Sequence, residues 1–158
     1  MTLTLRMLWL ILFAFWQGGF MFYGAIVVPV GTQVLGSESM QGFVTRSVTN
    51  YLNVAGVIAL VVWGFELSIA KDASTTRNRV RWALLLMMML LLALLGWLHT
   101  QMDKHLDTEM QQVLDLPLFT RLHSWYLIIS TLQWLFGLAF TGLTLSAWHQ
   151  ESKPNDSK

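Results

Sequence analysis

Four long apolar stretches limit what this chain can fold into. They run over 7–30, 52–70, 80–98 and 124–148, and each meets the ~20 mainly apolar residues that a helix needs to cross a bilayer. The third, from residue 82 on, "WALLLMMMLLLALLGWL", carries no polar side chain. The runs are continuous, not alternating, which argues against barrel strands. Lipid offers no partner to an unpaired backbone N–H or C=O, which leaves the helix. The expected fold class is therefore all-α, an integral membrane four-helix bundle with the lipid bilayer as its first partner.

Composition agrees. Of 158 residues, 54% are hydrophobic and only 12% charged, too little charge for a water-soluble domain of this size. The length suits one domain: a four-pass unit over 1–149 and a polar tail over 150–158, expected to be disordered. The net charge of +1 gives no reason to expect nucleic acid as a partner, and with no cysteine there is neither a disulfide nor a thiolate site. The basic start ending in Arg6 resembles a signal peptide. The apolar run continues to Val30, however, without a small-x-small cleavage site, so it reads as a retained span. Pro29 is expected to end that span.

Basic residues set the expected orientation. Arg6, Lys71, Arg77, Arg79, Arg81, Lys153 and Lys158 fall on one side, and Arg46, Lys104 and Arg121 on the other. Seven against three places both termini in the cytoplasm, N-in and C-in, in the inner membrane if the chain is bacterial. Trp9, Trp82, Trp97, Trp125 and Trp148 lie near run ends, where amphipathic rings settle at the headgroup boundary. In the outer loop between spans three and four, Met110, Val113, Leu114 and Leu116 are spaced for a short amphipathic helix ending at Pro117. The first loop, "SESMQGFVTRSVTNY", reads similarly, with Ser37 as its N-cap.

Polar residues inside apolar spans are the functional candidates. Gln17 and Gln133 both fall near the midplane, where they could bond each other, bond a backbone carbonyl, or line a solute path. Gly18, Gly19, Gly24, Gly56, Gly137 and Gly142 would let helices one, two and four approach closely, leaving the third at the lipid-facing periphery. Glu66, the one acid within a span, is expected to pair with Lys71 or reach toward water. A proton relay would need further acids or histidines at membrane depth.

His99, His105 and His123 gather at the outer loop with Met102, Asp103, Asp107 and Asp115. His99 and Asp103 share a helix face, and His123 opens the neighbouring span. His99, Asp103 and His123 could thus hold a divalent metal, or the two histidines a haem. The competing reading is interfacial capping, with the rings bonded to loop backbone. No cofactor is implied more firmly than that.

The segments "FWQGGFMFYGAIVVPV", "GFVTRSVTNYLNVAGVIAL" and "FTRLHSWYLIISTLQWLFGLAFTGL" together resemble the small four-pass family typified by transmembrane protein 205. Where that family carries Ser and Asn after the histidine, this chain offers Ser130 and Gln133. The resemblance implies four membrane helices without established enzymatic activity. It extends distantly to copper-resistance D-type membrane proteins, which implies copper handling as an alternative. The expected function is a small accessory or transport-related membrane module, not an enzyme, with its functional face on the outer loop 99–123. The alternatives are a metal-binding protein using His99, Asp103 and His123, a haem-bearing electron-transfer subunit, and a subunit of a larger complex or homo-oligomer.

Overall fold

In the computed structural model, which describes residues 3–70, 72–107, 110 and 112–151, hydropathy becomes four helices. These are α1 (Leu3–Leu35), α2 (Glu38–Ile69), α3 (Thr75–Asp103) and α4 (Leu116–Glu151), each long and apolar enough to span a membrane. All four outrun their apolar stretches. The backbone ladder continues through polar residues until something caps or breaks it, so hydropathy marks the lipid-embedded part of a helix and not its ends. The tail beyond Glu151 lies outside the described residues.

Pro29 does not end α1. Its helix widens into π turns at Ala14–Gly18 and Tyr23–Val27, and Pro29 then sits in the first turn of the segment Val28–Leu35. A π turn just ahead of the proline shifts the carbonyl ladder, so the missing N–H and the ring are accommodated. Gly36, at φ 63°, is the left-handed residue that stops the helix. Ser37 caps the next, accepting from the Met40 N–H at 3.3 Å. No proline follows until α4, so the first loop's amphipathic stretch is the start of one 32-residue α2 and not a separate surface helix.

The connection between α3 and α4 also departs from expectation. It is a small antiparallel hairpin, β1 (Leu106–Asp107) against β2 (Gln112–Val113), with Leu106 opposite Val113. The Leu114 N–H donates to the His105 carbonyl at 2.9 Å, and the Met110 N–H donates to Asp107 at 3.0 Å. Aspartate bonds of this kind favour a turn over a helix. Pro117 opens α4 instead of closing a helix before it, because Asp115 caps α4 by accepting from the Leu118 N–H at 3.0 Å.

Packing reverses another expectation. α3 is not the outlier: it lies along α4 more extensively than any other pair of helices meets. It buries Arg81, Leu85, Met88, Leu92, Leu95 and Leu98, a three-and-four spacing that marks one helix face. α1 is the least embedded, with 17% of its apolar window buried against 28% for α3. α1 lies on α2, and its border with α4 is crossed mainly by large side chains. Trp9 and Trp148 turn inward to 0% and 7% exposure, whereas Trp82, Trp97 and Trp125 remain outside as expected of interfacial rings. The core is an aromatic block in which Trp63 stacks on Trp9 at 4.8 Å and on Phe140 at 5.4 Å, with Trp16 tilted against it.

Candidate functional site

Polar side chains occur at three depths. At the end away from the termini, the Arg46 guanidinium donates to Asp103 at 2.6 Å through Nε and at 3.3 Å through Nη2. His99 Nε2 donates to the Arg46 carbonyl at 3.1 Å, and its Nδ1 stands 3.5 Å from Asp103. One imidazole nitrogen and the carboxylate are therefore already engaged. His123 lies against the Phe119 ring, nearly parallel at 6.4 Å. Among the described residues no three His, Cys, Asp or Glu side chains form a group able to hold a metal. His99, Asp103 and His123 are thus not one ligand set. A guanidinium occupies the carboxylate a metal would need, and backbone holds the ring nitrogen a haem iron would need. His99 is bonded to backbone, but to a carbonyl within α2 and not to the loop backbone of the capping reading.

At the end where the termini meet, a charged set spans three helices. Glu66 and Arg81 both have 0% side-chain exposure and bond at 2.7 Å. The Trp148 indole donates to the other Glu66 oxygen at 3.3 Å, and Arg81 Nε donates to Thr144 at 3.2 Å. Arg81 Nη1 lies 3.8 Å from Asp72, within Coulombic reach but too far for a hydrogen bond. Asp72, in the turn joining α2 to α3, takes a two-armed contact from Arg77, at 2.8 Å through Nε, and the Ser74 N–H at 2.8 Å. Arg77 beside it, helped by that backbone N–H, holds the Asp72 carboxyl below its ordinary range.

Glu66 therefore pairs with Arg81, not with water; Lys71, its expected partner, lies outside the described residues. Arg77 and Arg81 are four apart on one face of α3, which brings both toward α2 and the turn. Arg6 meets Glu151, tying the start of α1 to the end of α4, and its guanidinium lies over Trp148 at 5.2 Å. Arg6, Arg77 and Arg81, three of the seven basic residues on this side, are thus internally neutralised.

Between these ends lies a small pocket at the seam of α1 and α4, lined by Trp16, Gln17, Phe20, Ser130, Gln133 and Trp134. Its cavity volume is about 10 Å³, room for one water-sized group. The pocket brings both midplane glutamines together. Gln133 Nε2 donates to the Met88 carbonyl at 3.2 Å, one of the bonds expected of it. Ser130 donates to the Leu127 carbonyl at 3.0 Å.

Gln17 differs. It is 5% exposed, and its Oε1 is buried without a hydrogen-bond partner, a state that costs ~1–3 kcal/mol in a protein interior. It stands in the π turn Ala14–Gly18, a distortion common at functional positions and invisible to hydropathy. Its amide lies over Gly137, where a Cβ would approach within 3.1 Å. On the terminal side, Trp16, Trp63 and Phe140 run as adjoining rings from the pocket to Arg81, which lies over Phe140 at 5.6 Å. Of the six glycines expected at helix contacts, Gly56, Gly137 and Gly19 meet a neighbour, while Gly18, Gly24 and Gly142 have open space.

Residues 11–105 match the model of a domain of unknown function, DUF4149, and the chain belongs to that family. No curated protein and no solved structure matches it.

Proposed function

We propose that this chain is a small non-enzymatic membrane module of the transport-related kind. Its working element is the amide pocket between α1 and α4, in place of the outer loop 99–123. One observation carries the reading: Gln17 is buried among apolar helices with its Oε1 unpartnered, and it shares a pocket with Gln133 and Ser130. A polar residue at membrane depth either holds helices together or lines a path. Holding helices together requires the bond to be made. Gln133 makes one to Met88, and the Gln17 oxygen makes none. The outer histidines offer less, because His99 is committed to the Arg46 carbonyl and Asp103 to the Arg46 guanidinium. No titratable group lines the pocket, which suits binding better than acid–base chemistry.

Two further elements belong to this proposal. The segment holding Trp16, Gln17 and Phe20 is also part of "FWQGGFMFYGAIVVPV", one of the stretches similar to the transmembrane protein 205 family. Resemblance to that family supports a four-pass module without enzymatic activity. The seven-to-three distribution of basic residues supports termini in the cytoplasm.

The test is reconstitution of the full chain in liposomes, with stopped-flow swelling in formamide, urea and glycerol. Wild type should admit at least one of these faster than protein-free liposomes, and Gln17→Met should lose that gain. Equal rates with and without protein for all three, or a gain unchanged in Gln17→Met, would remove the pocket from the function.

A further inference from the structure

A neutral amide enclosed by aromatic rings restricts what can occupy the space beside it. The Gln17 oxygen requires a donor. Gln133 commits an N–H to the Met88 carbonyl, and Ser130 commits its O–H to the Leu127 carbonyl, so both retain acceptor lone pairs. The remaining walls are Trp16, Phe20 and Trp134. With no acid or base in the lining, an ionic occupant would sit unneutralised at membrane depth, which disfavours it strongly. The cavity of about 10 Å³ admits one water-sized group, a water or a single hydroxyl, and not a whole solute.

We infer that the pocket is a hydroxyl-binding site. It takes one uncharged O–H donor, from water or from an alcohol arriving through the lipid, hydrogen-bonded to Gln17 Oε1. The inference rests on the pocket assigned above but not on passage through it. A bound hydroxyl can be present where no solute crosses, so flux and occupancy fail separately.

Radiolytic hydroxyl-radical labelling of the full chain in detergent reads the water arm. Trp16 is 4% exposed and Trp63 is 0% exposed in the same aromatic block, so radicals from bulk solvent should label neither well. Water held at Gln17 should label Trp16 well above Trp63, and Gln17→Met should bring Trp16 down to the Trp63 level. The alcohol arm uses 1-octanol against octane at equal concentration. A thermal midpoint raised by octanol alone, in wild type and not in Gln17→Met, assigns the hydroxyl to a lipid-soluble molecule. Ser130→Ala, on the same pocket, serves as the second variant if Gln17→Met does not fold. The proposal is overturned if Trp16 is labelled above Trp63 and to the same extent in wild type and variant. It is also overturned if Trp16 stays unlabelled while octanol and octane act alike.

Discussion

Glu66 of α2 and Arg81 of α3 form an ion pair at 2.7 Å with neither side chain exposed. Each ion is strongly disfavoured alone in the interior, so the pair is held by mutual need and its net contribution is small. Removing one member should be far worse than removing both. Arg81→Met alone should cost about 3–5 kcal/mol, the usual penalty for stranding a buried charge. Adding Glu66→Leu should recover most of that. Thermal unfolding of the single and double variants in detergent measures the difference, and additive losses would show that the two residues act independently.

Asp72 predicts an acid limb. Arg77 and the Ser74 N–H hold its carboxyl below the ordinary range in the folded protein. A lowered folded value means its stabilisation is fully present above the unfolded value of about 4 and disappears as pH falls through the folded value. The thermal midpoint should thus be insensitive to this group between pH 7 and 5 and decline below about pH 4. Asp72→Asn should start lower and decline less. An identical acid limb in the variant would assign the loss to other carboxylates.

Some of this architecture is legible in sequence because the physics that forms it is local. Continuous apolar runs identify the spans, and Ser37 marks the start of α2 because capping is decided within four residues. Gln17 and Gln133 can be placed at one depth by counting from the membrane boundaries. Other features need three-dimensional information. The "LLLMMMLLLALL" stretch carries no polar residue to reveal which side is buried, so the packed face of α3 has no mark. Arg81 reads as a loop cation by hydropathy. Its burial follows from Glu66, fifteen residues away, and from the i, i+4 partnership with Arg77, a spacing that could have pointed to it. Two π turns let α1 continue past Pro29, and no residue pattern announces them.

Gly56 should tolerate no side chain. A Cβ there would lie 2.7 Å from the Trp16 ring, whereas one at Gly18 or Gly24 would meet nothing within 4 Å. Gly56→Ala forces Trp16 out of the aromatic block and should destabilise by about 1–3 kcal/mol, the range for overpacking. Gly18→Ala should be neutral or slightly stabilising through helix propensity. Thermal midpoints of the two variants give the contrast, and equal values would mean that Trp16 is free to move aside.

The outer histidines should prove separable. His99 is bonded to the Arg46 carbonyl with Asp103 nearby, while His123 rests on Phe119. Protein purified in detergent should therefore carry the same metal content in wild type and in the His99→Ala, His123→Ala double variant, and should lack a Soret band. His99→Ala alone should loosen the outer ends of α2 and α3 by ~1 kcal/mol, one hydrogen bond's worth. A metal present in wild type and lost from the double variant would restore the metal reading.

Orientation can be tested without engineering a background, because the chain has no cysteine. Ala73, in the α2–α3 turn, and Gln112, in the outer hairpin, are both exposed. They lie at opposite ends of α3, so a membrane-impermeant maleimide added to intact cells should reach only one of them. If the basic-residue distribution governs insertion, Gln112→Cys is labelled in intact cells and Ala73→Cys only after permeabilisation. Arg6, Arg77 and Arg81 are paired in the folded protein, but the basic-residue bias acts as the helices insert, before they pack. Their neutralisation afterwards does not weaken the expectation. Labelling of Ala73→Cys alone in intact cells would invert the topology and place the Glu66–Arg81 end outside.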